Sequence, residues 1–284
     1  MNRSPIKSII DHGLRNSIVI GKNLLVRKIL WKLLNKHFPT ISGVRREMLG
    51  KELLEKSGRV VMNGYFQGMK LGKLTWGARD AGPMLLGTYE QQVQSKIICS
   101  PDRYKVFVDI GAADGFYAIG LILNGRFKKA ICFESKSKSR TAILENAKEN
   151  NVDSHLLILG EAEKYFHRHL TVDLELKPEE LIFLIDIEGG EFEILNSEIF
   201  EVLQASMFVI EIHRTVDDFH AKYINLVENA SKFFYVETIH SNIDQNTFNP
   251  IMENWADEDR QIVLSEGRRY QMHWLVLTPK NLPK

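Results

Sequence analysis

The chain has 284 residues, 44% of them hydrophobic and 26% charged, which is enough to bury a sizeable core and argues against disorder. Its two cysteines, Cys99 and Cys132, exclude a disulfide framework and a Cys-rich zinc site. No apolar run approaches the ~20 residues of a membrane-spanning helix, and no secretory leader pattern is visible, so the expected setting is cytoplasmic, soluble or peripheral.

The net charge of +1 hides an asymmetry. Residues 1–46 hold ten Lys/Arg against one acid, Asp11, a balance of +9; the remaining 27 basic and 35 acidic residues leave −8 elsewhere. Within this basic segment, "NLLVRKILWKLLNKHFP" predicts an amphipathic helix over residues 23–37. Val26, Ile29, Leu30, Leu33 and Leu34 form its stripe, Asn23 its cap, and Pro39 its end. The stripe suits packing on the protein's own body or on a second subunit of a homo-oligomer. Its basic flank equally suits an anionic membrane surface, where each charge contributes ~1 kcal/mol. Nucleic-acid binding is a third use.

Three regions follow. Residues 1–50 form a basic N-terminal extension. Residues 51–104, rich in glycine and aromatics, read as short elements covering a cleft, with Tyr65, Phe66, Trp76 and Tyr89 as candidates for a sugar groove or for plain core packing. From residue 105 to 284, β-type runs ("KVFVDI", "KKAICFE", "HLLILG", "LIFLIDIE", "MFVIEIH") alternate with helix candidates that include residues 138–150 and 191–204. Alternation of this kind predicts an α/β fold with a parallel sheet. "FFYVETI" and "QMHWLVLTP" add two final strands.

The first strand ends in "VFVDIGAADGFYAIG", residues 106–120. In such sheets ligands bind beyond the carboxyl ends of the strands, where the first turn carries the glycines. Gly111, Ala112 and Gly115 let a ligand approach the backbone, and Glu134, at the end of the second strand, suits both hydroxyls of a ribose. A dinucleotide would bring a pyrophosphate, which the spacing G-x-x-x-G and the flanking Asp109 and Asp114 oppose. S-adenosylmethionine brings a sulfonium and an ammonium, which an acidic loop attracts. A tight turn with no ligand is the plain alternative. Glu161, after the third strand, is a candidate for the adenine amino group or a solvated loop acid.

The fourth and fifth strands end in further acids. Residues two apart on a strand share a face, which pairs Asp186 with Glu188 and Glu211 with His213, and neighbouring strands would bring all four to one cleft edge. Two chemistries fit: a general base led by His213, or a divalent metal, Mg2+ or Mn2+, held by Asp186, Glu211 and His213. In the plain alternative Glu191 caps its helix by charge, while His213 pairs structurally with a carboxylate. His240 reads as a surface histidine.

In this order and at these separations, "VFVDIGAADGFYAIG", Glu134, "LIDIEGGEFEIL" and "VIEIH" resemble the FkbM-type class I SAM-dependent methyltransferases. "LGTYEQQV", residues 86–93, is similar to a segment preceding the first motif in members associated with glycan clusters. The resemblance covers roughly residues 60–215. It implies a Rossmann-like, seven-stranded, mostly parallel sheet with a reversed last strand, and methyl transfer to a hydroxyl oxygen. It places Asp109, Gly111, Gly115 and Glu134 around the cofactor, with Thr88, Tyr89 and Glu90 closing over it. Leu184 stands where members often carry Lys, and Ser135 where they often carry Pro.

No Asn/Asp-Pro-Pro-aromatic sequence follows the fourth strand, and the body's negative balance opposes a phosphate-rich substrate, so the expected acceptor is a carbohydrate or another small molecule and not a nucleic acid. The rival from another class is a SAM-binding scaffold without turnover.

Overall fold

The computed structural model describes residues 41–240, 249–268 and 272–281. The predicted helix over 23–37 lies outside them. The chain divides into two compact units, residues 1–45 and 46–284; of the first, only the start of helix Ile41–Lys56 is described.

The second unit is built on one seven-stranded sheet. Its strands are β1 (Val106–Ile110), β2 (Lys129–Phe133), β3 (Leu156–Leu159), β4 (Leu181–Ile185), β5 (Met207–Glu211), β6 (Phe234–His240) and β7 (His273–Pro279). They lie in the order β3-β2-β1-β4-β5-β7-β6. The first five run parallel, and β7 enters antiparallel between β5 and β6. This is the sheet expected of a Rossmann-like class I methyltransferase, reversed last strand included.

β1, β4 and β5 are buried along their whole length, which explains why they read as near-continuous apolar runs instead of alternating ones. Their side chains still alternate between two cores. Phe107, Ile182, Leu184 and Val209 join the core beneath the covering segment. Val108, Phe183, Phe208 and Ile210 join the opposite one, where Phe183 and Phe208 stack at 4.6 Å. β6 is the exposed edge.

Helix Ser137–Glu149 matches the expected 138–150. The expected helix over 191–204 is two, Glu191–Ile194 and Ser197–Val202. Leu195 is extended, and the Asn196 side chain accepts from Ile199 N at 3.1 Å, restarting the chain as a capped helix.

The covering segment is fastened to the body. The Asn146 side chain accepts from Lys73 N (2.7 Å) and donates to Lys73 O (3.0 Å), and Asn150 does the same for Lys70 (2.8 and 2.9 Å). Two amides one helical turn apart thus pair with an extended chain as a neighbouring strand would. Phe66 seals the contact: a Cβ at Gly120 would lie 2.4 Å from its ring. Tyr65 and Phe66 pack with the core, as the plain reading had it.

Candidate functional site

Strand order reverses between β1 and β4, which opens a crevice at their carboxyl ends. Gly111 sits there at φ +94°, and a Cβ on it would lie 1.9 Å from the Asp186 carbonyl oxygen. The loops after β1 and β4 therefore meet backbone to backbone, and only glycine fits. Gly115 serves differently from the expected ligand approach. At φ +86° it starts helix Phe116–Leu123, packs near Ile119 and Ile143, and lines neither cavity described below.

The crevice has two connected parts. A cleft of about 780 Å³ is lined by Gly111, Glu134, Glu161, Asp186, Glu188 and His213, among others. A pocket of about 100 Å³ is lined by Asp109, Asp114, Glu90, Ala112, Leu184 and Tyr117, among others, and shares Trp76, Tyr89, Gly111 and Asp186 with the cleft.

On the β1–β2 side, Glu134 Oε2 accepts from Ala113 N (3.0 Å) and Oε1 from Lys136 N (2.8 Å). Both oxygens are fixed and each keeps a lone pair for a ligand hydroxyl. Asp109 is buried, and its pKa is pushed up to about 8, first by burial and then by the charges of Glu134 and Asp114. Asp114 accepts from Thr75 N at 3.1 Å, and burial raises it to about 6. Among the described residues no ion pair reaches Asp109, Asp114 or Glu134.

On the β4–β5 side, the four expected residues converge, but not as strand faces. β4 ends at Ile185, the chain turns, and Glu188 lies at φ +55°. Asp186 and Glu188 nevertheless come within 3.5 and 3.6 Å of His213 Nε2, with Glu211 at 3.9 Å. The other ring nitrogen faces Glu191. This carboxylate is fully buried and accepts from Gly189 N (2.9 Å), from His213 N (2.9 Å) and, at 3.2 Å, from His213 Nδ1. Burial works against the His213 proton, but the Glu191 bond and the charges of Glu191, Glu211 and Glu188 outweigh it and raise the pKa. Burial raises Asp186 to about 7, against its hydrogen bond with Glu211, and raises Glu211 to about 9, helped by the Asp186 charge and opposed by Arg268.

A residue without a sequence motif organises the rest. Arg268, on the connector before β7, bonds Glu211 of β5, Glu90 of the covering segment and, at 2.6 Å, Glu266. Glu90 is held further by the Tyr117 hydroxyl (2.6 Å), and its own N–H donates to Glu266 (3.0 Å). It stands at φ +44°, in the left-handed region.

Most expected residues reach the crevice: Asp109, Gly111, Ala112, Glu134, Glu161, Tyr89 and Glu90, with Trp76 at its mouth. Thr88 does not. It is buried, its hydroxyl has no partner, and it lines neither part. His240 is exposed, 6.1 Å from the His273 ring. The contributions of Glu191 to His213 and of Glu266 and Arg268 to the acids were not read from the sequence.

The donors fit a nucleoside with a cationic tail: a fixed carboxylate at Glu134, a loop junction at Gly111 that lines both parts of the crevice, and an acidic pocket beyond it. Asp186, Glu211 and His213 offer ligand atoms all within 4.8 Å of one another, and Asp186 Oδ1 is buried without a hydrogen-bond partner, so a divalent cation also fits, although Arg268 already engages Glu211. Among the described residues no helix is long and apolar enough to cross a membrane.

No family model and no curated protein sequence matches the chain. Solved structures with similar backbones include M. jannaschii TYW2 in complex with AdoMet (15% identity, 66% of this chain and 72% of that one, TM-score 0.40). Another is the precorrin-6y C5,15-methyltransferase of Geobacter metallireducens GS-15 (14%, 68% and 90%, 0.40). A third is M. capricolum TrmK in complex with S-adenosyl-homocysteine (12%, 69% and 70%, 0.41).

Proposed function

We propose that the protein is a SAM-dependent O-methyltransferase acting on a hydroxyl of a sugar or glycan. The observation that carries this reading is His213, whose Nδ1 is held by the fully buried Glu191 while its Nε2 borders the cleft beside Asp186, Glu188 and Glu211. A base oriented by a carboxylate on one nitrogen is free to take a proton on the other.

S-adenosylmethionine, when bound, supplies an electrophilic methyl group on a sulfonium. Glu134 would hold the ribose, the junction of the β1 and β4 loops at Gly111 would form the floor beneath the nucleoside, and Asp109 and Glu90 would offer carboxyls to the cationic tail. His213 Nε2 would take the proton of the acceptor hydroxyl, whose oxygen is the nucleophile for the methyl group, with S-adenosyl-homocysteine as the leaving group. Glu191 keeps the proton of Nδ1 in place and, with Glu188 and Glu211, stabilises the imidazolium that results. The acidic rim formed by Glu161, Glu188 and Glu193 disfavours a polyphosphate acceptor.

Calorimetric titration with SAM and with NADH tests the cofactor. Micromolar binding of SAM alone is the expected result, and binding of NADH alone overturns the reading. Release of S-adenosyl-homocysteine in the presence of sugars, nucleotide sugars or tRNA then identifies the acceptor class. Turnover on tRNA alone would replace the sugar.

A further inference from the structure

Five basic side chains line the large cleft: Arg46, Arg79, Lys136, Arg214 and Arg268. Four of them are engaged. Arg79 Nε lies 3.4 Å from Glu47, the Lys136 ammonium sits 4.5 Å above the Trp76 ring, Arg214 lies 3.4 Å from His273 Nδ1, and Arg268 is surrounded by three carboxylates.

Arg46 differs. No ion pair ties it to a carboxylate among the described residues, and its Nε is buried with no hydrogen-bond partner. Burial lowers its pKa, against the charges of Asp80 and Glu266, so this cation is partly stripped of water. The chain also makes room for it: Gly267 lies at φ +62°, and a Cβ there would fall 0.9 Å from Arg46 Nη1. A buried N–H without an acceptor is costly, and an anionic oxygen that draws the guanidinium towards the cleft it lines would relieve that cost. The planar fork of a guanidinium fits carboxylate and phosphate groups, often through two parallel bonds.

We propose that Arg46 is an anion-recognition residue of the cleft, its guanidinium taking a carboxylate or phosphate oxygen of a bound ligand. The assignment rests on the methyltransferase reading only for the ligand's identity. The anion is either the amino-acid carboxylate of the cofactor or an acidic group on the acceptor.

The test compares the full-length protein with Arg46→Gln by calorimetry, using SAM, decarboxylated SAM and inorganic phosphate as probes. Phosphate is titrated into the free protein and into protein saturated with S-adenosyl-homocysteine. If the cofactor carboxylate is the ligand, the unaltered protein prefers SAM over its decarboxylated form by ~10-fold or more, Arg46→Gln erases that preference without weakening the decarboxylated form, and S-adenosyl-homocysteine blocks phosphate. If the acceptor supplies the anion, phosphate binds with S-adenosyl-homocysteine in place, and Arg46→Gln weakens it by ~10-fold while the SAM preference stays unchanged. A variant that moves neither the SAM preference nor phosphate affinity overturns the proposal. A protein that binds neither nucleoside removes the methyltransferase reading, and phosphate binding to the free protein then still decides Arg46. Should Arg46→Gln fail to fold, Arg46→Lys, which keeps the charge and loses the fork, serves for the same comparisons.

Discussion

The two sides of the crevice differ in the cations placed around their buried acids. After β1 and β2, Asp109, Asp114 and Glu134 lie close together with no ion-paired cation among the described residues; burial raises Asp109 to about 8 there, as it raises Glu211 to about 9 on the other side despite Arg268. After β4 and β5, the acids are built around internal cations: Arg268 bonds Glu90, Glu211 and Glu266, and His213 lies among Asp186, Glu188, Glu191 and Glu211. The first side has an unmet demand for positive charge that a ligand can fill. The second carries its own cations and suits proton handling, with one oxygen, Asp186 Oδ1, still lacking a partner.

The largest expected effect tests the second side. His213→Ala should lower turnover by roughly 10²–10⁴-fold while leaving SAM affinity unchanged; retained turnover would reduce His213 to a structural residue. Glu191→Gln, which keeps the shape but disturbs the ring's proton, should follow in the same direction with at least a ~10-fold loss. Next comes Arg268→Met, which strands Glu90 and Glu211 without their cation. Breaking a buried pair in this way costs about 3–5 kcal/mol, read as a lower urea midpoint. An unchanged midpoint would show that the two sides differ less than their geometry says.

On the first side, removing an acid should raise stability instead of lowering it. A carboxyl whose folded pKa stands above its unfolded value binds its proton more tightly in the folded chain, so its contribution to stability is lost as pH rises from 3.8 towards about 8 for Asp109. Asp109→Asn should therefore flatten the stability profile across that window and raise Tm at pH 8, at the expense of SAM affinity. Thermal melts at pH 5 and pH 8 decide it, and a variant less stable than the parent at pH 8 would refute the argument. Asp114→Asn should act alike but more weakly, over the narrower window from 3.8 to about 6.

Legibility follows the same division. The β1 turn lies within one contiguous motif, so Gly111 follows from spacing and Glu134 from its place at the end of the next strand, while Asp109 was placed by the resemblance. The grouping of Asp186, Glu188, Glu211 and His213 was also reached, though by a face argument that the turn after Ile185 does not obey; their nearness comes from adjacent strand ends. Arg46, Glu266 and Arg268 were missed because each sits far along the chain from the groups it meets, without periodicity or motif to mark it. Glu191 looked like a helix-start acid, and only its burial turns it towards His213. The break at Asn196 did leave a signal, since Asn-Ser-Glu is a helix-start pattern inside a segment read as continuous.

The amide pairs that hold the covering segment divide tolerance unevenly. Asn146 and Asn150 grip the backbone of Lys73 and Lys70 and leave their side chains out of the bond. One partner in each pair is therefore strict and the other indifferent: the helix must keep its two asparagines, while residues 70 and 73 are free to drift. Gly72 is the exception, since a Cβ there would lie 2.2 Å from Asn146 Oδ1. The covering segment can thus change the charge it carries at those two positions with its attachment left intact.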